Sequence, residues 1–269
     1  MLTALERRVP LRRAREAKWR HVSRNMVFAG AAAATVNLLE RPVVEPLARM
    51  VQRRRYGLLY VRRLPPPLHL ILAVVLLDYT LYLWHVLTHR VPWLWRFHLV
   101  HHVDCDLDAS TALRFHAGEH ALSIPWRAMQ IAAIGVPTNA LHLWQNIVLL
   151  SILFHHSNVE LPIGVERLLA RFVVTPRLHG IHHSIVPNET DSNWSSGLTV
   201  WDYLHRTLRL DVPQHAITIG VPAYPTSTDV TLANSFALPF GAQRPWRRFP
   251  DDGEPAAHGH TRSVNELAP

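Results

Sequence analysis

The strongest constraint in this sequence is the apolar run at residues 68–87, LHLILAVVLLDYTLYLWHVL. A helix needs roughly 20 mainly apolar residues to cross a bilayer, so this run predicts a membrane-spanning helix. The run also contains Asp78 and His85. Ionisable side chains inside a membrane are costly and usually mark a functional site. The sequence therefore predicts an integral membrane protein with chemistry at this helix.

Other apolar runs extend the predicted helical base. Residues 121–154 contain two runs separated by Pro137-Thr138-Asn139, which predicts a helical hairpin. A shorter run at 26–39 is marginal for a full crossing and predicts a short, tilted or re-entrant helix. This run follows a basic stretch but is not followed by a clear cleavage site, so we expect a retained anchor rather than a signal peptide.

The positive charge is concentrated near the N-terminus. The net charge is +8, and most arginines lie in the first 63 residues. Basic segments beside membrane helices are mostly cytoplasmic. The N-terminus and the basic loop at 49–63 are therefore both expected in the cytoplasm, provided that the 26–39 run does not cross completely. Nucleic-acid binding is a competing explanation, but anionic lipid accounts for such segments, so we expect no nucleic-acid partner.

Cysteine usage excludes several classes of protein and site. Cys105 is the single cysteine in the sequence. An internal disulfide is therefore impossible, and so is a disulfide-stapled secreted domain. Zinc ribbons and iron–sulfur sites need several thiolates and are excluded as well.

Histidine is unusually abundant, with 19 residues, and three clusters stand out. They are HxxxH at 85–89 and HxxHH at both 98–102 and 179–183. Residues three and four apart share a helix face, so each cluster can direct two or three imidazoles to one point. Together they are too many for one tetrahedral zinc and suit two metal ions, among which iron, zinc, copper and nickel all accept imidazole. The predicted metal ligands are His85, His89, His98, His101, His102, His179, His182 and His183.

Four further polar residues are candidates for supporting these ligands. Asp78 precedes His85 by two helical turns, so its carboxylate is expected on the same face, where it can orient a ligating imidazole. Glu119, Asn158 and Asn193 are candidates for the same role. Structural explanations remain open: helix packing for Asp78, loop capping for Glu119 and Asn158, and turn chemistry for Asn193.

From about Arg54 to Thr207 the sequence resembles the fatty acid hydroxylase/sterol desaturase superfamily, in particular its bacterial members. Six segments carry the resemblance in order and spacing: LLDYTLYLWHVLTH at 76–89, LWRFHLVHH at 94–102, STALRFHAGEH at 110–120, FHHSNVELP at 154–162, TPRLHGIHHS at 175–184, and SNW…WDYL at 192–204. The sequence departs from the family pattern at several positions without losing a predicted ligand: Val86, Ala117, Trp194-Ser195 and His205-Arg206.

The resemblance implies an all-α protein, with an integral membrane base of four helices and a cytosolic histidine-rich helical cap that holds a dimetal site. It implies two iron ions that activate O2 for hydroxylation or desaturation of a lipid C–H bond, with zinc as an alternative occupant on purification. His116 and His156 match two further histidines of the family motifs and are added as ligands or supporting groups. A sterol, fatty acyl chain or related lipid is the implied substrate.

The resemblance also suggests how the chain is organised. Residues 1–67 form a basic N-terminal segment with a short apolar helix, 68–210 form the catalytic domain, and 211–269 form a C-terminal extension with a disordered end. The sequence contains no nucleotide-binding or haem-attachment motif, so electrons are expected from a separate reductase, ferredoxin or cytochrome. The expected location is the bacterial inner membrane with a cytoplasmic cap. The alternatives are a non-catalytic metal-binding protein or transporter, and a membrane zinc hydrolase.

Overall fold

A computed structural model describes residues 2–258, and within that range the protein is all-α, as predicted. Extended pairing among these residues is limited to isolated bridges. A π-helical turn at Val36–Glu40 joins the second and third helices. The helices are α1 (Leu2–Arg8), α2 (Lys18–Thr35), α3 (Arg41–Arg54), α4 (Pro66–Arg90), α5 (Pro92–His102), α6 (Ala117–Ile134), α7 (Thr138–His156), α8 (Ile163–Ala170), α9 (Pro176–His182), α10 (Pro187–Thr190), α11 (Val200–His205) and α12 (Leu232–Ala237).

The base of the molecule consists of the α2–α3 segment, α4, α6 and α7. Helix α4 contacts both α6 and α7, and α3 packs on the same two helices. Their shared core is apolar and includes Val44, Leu77, Ile131 and Leu141. Two helical segments in the described chain are long and apolar enough to cross a membrane: Lys18–Tyr60, with mean hydropathy 1.2, and Pro66–Arg90, with mean hydropathy 1.9.

Helix α4 presents most of its apolar surface outward. Only 28% of its most apolar stretch is buried inside the protein. Ile71 on α4 and Leu150 on α7 are 57% and 69% exposed. A large exposed apolar surface of this kind is compatible with lipid rather than water. The surface of the base is therefore that of a membrane protein.

The N-terminal helical segment is longer than the apolar run at 26–39 suggested. Helix continues without a break from Lys18, through the π-helical turn, to Arg54. The sequence pattern ended at Glu40 because a charged residue normally ends an apolar run. In the structure Glu40 is buried, with its carboxylate 3.9 Å from the Arg127 side chain of α6.

The predicted hairpin at 121–154 is present as α6 and α7. Helix α6 ends at Gly135, whose φ of 87° lies in the left-handed region that favours glycine. Pro137 then precedes the first residue of α7. The loop after α3 packs tightly on this turn, because a Cβ atom on Gly57 would lie 2.4 Å from the Cα atom of Gly135. The two loops therefore mark the same end of the base.

The histidine clusters lie at the opposite end, which we call the cap. His69 near the start of α4 bonds to the carbonyl of Gly135, whereas His85 and His89 lie near its end. A 25-residue helix is about 37 Å long, which separates the two ends by roughly the thickness of a bilayer core.

The two basic segments are therefore at different ends. The N-terminal region bonds to the cap, with Lys18 and His21 on Asp108 and the backbone N–H of Ala109 on Glu6. Gln52 accepts a hydrogen bond from the backbone of Thr138, at the far end. The two segments, which the sequence placed on the same side of the membrane, therefore lie at opposite ends of the base.

The described part of the C-terminal extension packs onto the cap. Val221, Ala223, Tyr224 and Val230 share an apolar core with residues of α5. His258 contacts the carboxylate of Glu189 and the carbonyl of Ala216 at 2.8 and 2.9 Å. Residues 259–269, at the end of the chain where disorder was expected, lie outside the described residues.

The arrangement of the ends predicts the outcome of a labelling experiment. On a Cys105→Ser background, Ala14→Cys marks the cap end and the exposed Val61→Cys marks the loop end. In sealed vesicles of one orientation, a membrane-impermeant maleimide is expected to label one of the two sites and to reach the other only after detergent is added. Equal labelling of both sites from one side would contradict this topology.

Candidate metal centre

One group of histidines, here called the first set, converges from three helices. His85 and His89 come from α4, His98 and His102 from α5, and His182 from α9. All five are buried, and one ring nitrogen from each lies within 4.8 Å of those of the others. Helices α4 and α5 meet at this point because Val91 ends α4 and Pro92 begins a new helix immediately after it.

A second group, here called the second set, lies beside the first. It contains His101 of α5, His156 of α7, His179 of α9 and His183 directly after α9. These four residues are also buried, with ring nitrogens within 4.8 Å of one another. The ring centroids of His102 and His183, one from each set, are 4.4 Å apart. The two sets therefore form one continuous imidazole cluster.

Helices α5 and α9 each contribute to both sets. In each HxxHH motif the first and last histidines, which are four residues apart, face the same set, and the middle one faces the other. Helix α5 gives His98 and His102 to the first set and His101 to the second. Helix α9 gives His182 to the first set, and His179 and His183 belong to the second. The sequence predicted that each motif would converge on one point, and the structure instead divides each motif between two.

Hydrogen bonds to the outer edge of several rings fix which nitrogen faces the cluster. Nδ1 of His85 bonds to the carbonyl of Trp194 at 2.7 Å, and Nδ1 of His182 bonds to the carbonyl of Ser192 at 2.8 Å. Nδ1 of His98 bonds to the carboxylate of Glu119 at 3.0 Å. These oxygens only accept, so each Nδ1 carries the proton and each Nε2 keeps its lone pair for the cluster.

Many of the inward nitrogens have no hydrogen-bond partner. Nε2 of His98 and of His182 is buried and unpaired, and both ring nitrogens of His89 and His102 are in the same condition. A buried polar atom without a partner is costly, and such groups call for an explanation such as an ion. A metal ion at the first set would use these lone pairs, and the second set offers the same donor type, so the residues present fit a pair of imidazole-bound metals.

Electrostatics keeps the cap imidazoles neutral. Burial, followed by repulsion from neighbouring imidazoles, holds the pKa values of His102, His179 and His183 well below the usual range of histidine. Burial lowers the pKa of His182 to about 3. These rings are therefore neutral at pH 7, which is the form that binds a metal.

Nitrogen spacing in the second set also matches metal coordination. Nε2 of His156 lies 3.1 Å from Nε2 of His101 and 2.9 Å from Nε2 of His179. Two nitrogens bound at right angles to one metal, each at about 2.1 Å, would be about 3.0 Å apart. Because Nδ1 of His156 bonds to the carbonyl of Ile152, its Nε2 carries the lone pair.

His155 is a candidate that the sequence interpretation missed. Both of its ring nitrogens are buried without a partner, and its ring centroid is 4.2 Å from that of His179. It precedes His156 at the end of an apolar helix, and this doublet resembles those at 101–102 and 182–183. That third doublet was the signal available in the sequence.

His116 lies outside both sets, contrary to its prediction as a ligand or supporting group. Its Nδ1 accepts a hydrogen bond from the backbone N–H of Gly118 at 2.9 Å and caps the start of α6. The ring packs against Phe97, Phe236 and Phe240. His116 matches a histidine of the family motif in sequence. In the structure it caps α6, and its imidazole faces an aromatic pocket instead of the histidine sets.

Among the four predicted supporting residues, Glu119 alone contacts an imidazole of either set. Asp78 instead accepts hydrogen bonds from the indole N–H of Trp201 at 2.7 Å and from the backbone of Leu198 at 3.1 Å. Asn158 bonds to the backbone of Arg12, and Asn193 joins the carbonyl of Leu178 to residue 209. These three residues fix the cap segments around the sets rather than the rings themselves.

Asp202 is a second residue that the sequence interpretation did not single out. Its buried carboxylate accepts hydrogen bonds from the backbone N–H groups of Trp194 and Ser195, both at 3.0 Å, and from the hydroxyl of Thr207 at 2.7 Å. The carbonyl of Trp194 in turn holds His85. Asp202 therefore fixes the loop that orients one imidazole of the first set.

A cavity of about 180 Å³ leads from the histidines into the helical base. It is lined at the sets by His85, His98, His155, His156 and Phe115, whose ring stacks on His101 with centroids 4.4 Å apart, and by Trp84, Trp144 and Val148 of the base. Mainly apolar walls with a few polar groups are typical of sites for small or lipid-like ligands. The arrangement can hold metals at one end of an apolar channel.

Comparisons with known proteins indicate the family of the chain. A family model described as fatty acid hydroxylase matches residues 70–207, just over half of the chain. An ornithine lipid hydroxylase of Rhizobium tropici is 32% identical over 66% of this chain and 50% of its own length. A cholesterol 25-hydroxylase-like protein of Danio rerio is 29% identical over 52% of this chain and 55% of its own. Human alkylglycerol monooxygenase is 30% identical over 50% of this chain and 29% of its own.

The chain thus spans at most about half the length of the curated relatives it matches. No solved structure matches it. The matched region contains every histidine of both sets. The matched region also includes the six sequence segments that resemble the superfamily. The family model therefore confirms that resemblance. The chain belongs to the fatty acid hydroxylase family.

Proposed function

We propose that this protein is a membrane-bound non-haem di-iron oxidoreductase that uses O2 to hydroxylate or desaturate a C–H bond of a lipid. One observation carries the proposal: two buried histidine sets with unused ring nitrogens lie at the end of an apolar cavity between membrane-type helices. The relatives named as hydroxylases and monooxygenases of ornithine lipids, cholesterol and alkylglycerols support a lipid substrate.

The proposed ligands are the nine histidines of the two sets, with His155 as an additional ligand beside the second set. When bound, two iron ions would supply the O2 chemistry that no amino-acid side chain provides. The protein's own groups perform the remaining tasks. Glu119 and the carbonyls of Trp194 and Ser192 orient three imidazoles of the first set.

The cavity walls determine what can approach the metals. Trp84, Phe115 and Trp144 give the channel an apolar lining that suits a hydrocarbon segment of a lipid and excludes bulk water. Because the channel lies among the membrane helices, we propose that the lipid enters from the bilayer. Electrons come from a separate reductase, ferredoxin or cytochrome, and the proposed location is the bacterial inner membrane with the cap in the cytoplasm.

An oxygen-labelling experiment tests the function. The purified protein, reconstituted with iron in detergent, is supplied with a reductase system and total bacterial lipid under oxygen-18. Labelled oxygen in a lipid is expected if the protein hydroxylates, and an unlabelled lipid that has lost two hydrogens is expected if it desaturates. His98→Ala and His179→Ala, one from each set, should abolish turnover, whereas the exposed His215→Ala should not.

A different result would contradict the proposal. Preparations that bind only zinc, with no O2 uptake across the lipid set even after iron reconstitution, would favour a zinc hydrolase or a non-catalytic metal-binding protein. Equal activity of the His98→Ala, His179→Ala and His215→Ala variants would show that the histidine sets are not the site of the chemistry.

The contacts of Glu119 and Asp78 predict different effects of their replacement. Glu119→Gln removes the charge that supports His98 and is expected to weaken metal binding at the first set by about 10- to 100-fold. Asp78→Leu removes the acceptor of two half-buried N–H groups and should lower stability by about 1–3 kcal/mol without a comparable change in metal affinity. Chelator competition and thermal unfolding measure the two quantities. Equal loss of metal affinity in both variants would contradict this assignment.

A further inference from the structure

A second polar cluster lies inside the helical base, away from the histidine sets. Arg127 of α6 donates a hydrogen bond from Nη1 to the side-chain oxygen of Gln130 at 2.8 Å, and its Nε lies 3.9 Å from the carboxylate of Glu40. Gln130 in turn bonds to the hydroxyl of Thr80 on α4. Charged groups at membrane depth are rare and are usually connected with function. Glu40 is placed here by a π-helical turn, a feature that is often found at functional sites.

Arg127 retains hydrogen-bonding capacity. Its Nε is buried and makes no hydrogen bond, since the carboxylate of Glu40 is too distant. The guanidinium carbon lies 4.3 Å from the ring centroid of Trp144, so the cation is packed over an aromatic face. Arg127 and Trp144 both line the cavity that leads to the histidine sets. A buried donor at the wall of an apolar cavity is costly unless a ligand supplies an acceptor.

The spacing of Glu119 and Arg127 along α6 gives an approximate length for a hydrocarbon chain that reaches from Arg127 toward the histidines. Glu119, which contacts His98, precedes Arg127 by eight residues on the same helix. Eight residues of α-helix rise about 12 Å. An extended hydrocarbon chain needs roughly eight to ten carbon–carbon bonds to cover that distance, given bond lengths of about 1.5 Å and a zigzag shape. A polar group held at Arg127 would therefore fix which carbon of the chain lies at the first set.

The charge balance at Arg127 indicates which polar group fits. Glu40 already offsets the guanidinium charge, and both side chains are largely buried. A second anion would be left with an uncompensated charge in a low-dielectric site, whereas a neutral oxygen acceptor would not. We propose that Arg127 binds the carbonyl oxygen of an ester- or amide-linked acyl chain and so determines which carbon of the lipid reaches the histidine sets. This inference rests on the proposed function, because it assigns the substrate class of the same cavity.

A binding experiment on the full-length, iron-loaded protein tests the proposal without turnover. Under anaerobic conditions in detergent, native mass spectrometry compares the affinity for a long-chain fatty acid methyl ester, the free acid and an alkane of equal length. The wild-type protein is expected to bind the ester about tenfold more tightly than the alkane, as for one hydrogen bond to a charged group. It should also prefer the ester to the acid.

Variants distinguish recognition from a purely structural ion pair between α6 and the α2–α3 segment. Arg127→Gln combined with Glu40→Gln leaves no unpaired charge and should reduce the ester preference to about unity while alkane binding stays unchanged. Glu40→Gln alone should reverse the preference in favour of the free acid. The matched control is Arg53→Gln, an exposed arginine of α3, which should behave as wild type.

The possible outcomes separate this proposal from the proposed function. Equal binding of ester and alkane by the wild-type protein, or an ester preference that survives the double substitution, would overturn the role of Arg127. Oxygen-18 insertion into lipid would still support the oxygenase in that case. Conversely, an Arg127-dependent ester preference without any lipid oxidation would support the binding site and contradict the oxygenase.

Discussion

The rest of the structure depends on burying many imidazoles together while keeping them neutral. Nine histidines share one interior, and several of their ring nitrogens are buried without a hydrogen-bond partner in the protein. Such an arrangement is unfavourable for an apoprotein, because each unpaired nitrogen loses its hydrogen bond to water. Metal ions bound to the same lone pairs would remove this free-energy cost. We therefore regard the cap as a structure whose stability and chemistry are linked through the metals.

The surrounding fold can be understood as the means of holding these rings. Helices α4 and α7 carry histidines at their cap ends, and α5 and α9 cross between the two sets. Backbone carbonyls of residues 192 and 194 hold His182 and His85, and the carboxylate of Asp202 in turn fixes the segment that contains Trp194. In the proposed function, the apolar base has a different task, which is to place the cavity where a membrane lipid can enter it.

Much of this fold follows from the sequence, whereas the partition of the site does not. Apolar runs and the break at Pro137 predicted the helices, and histidine spacing indicated which rings would lie together. Spacing alone could not show that each HxxHH motif serves two sets, since that depends on how α5 and α9 cross. Asp78 lies on the same helix face as His85, as expected for a carboxylate that supports a ligand. Its carboxylate instead accepts a hydrogen bond from the indole of Trp201, 123 residues later in the chain. The sequence likewise did not predict that the helix continues past Glu40, because a charged residue normally ends an apolar run. Glu40 is buried beside Arg127, a partner that lies far away in the sequence.

The positions of the metals test this account most directly. Diffraction from crystals of the iron-loaded protein, measured on both sides of the iron absorption edge, locates iron by its anomalous scattering. Two anomalous peaks are expected, one surrounded by the first set and one by the second, each within about 2.0–2.2 Å of imidazole nitrogens. A single peak, or a peak at neither set, would contradict the assignment of these histidines to a dimetal centre.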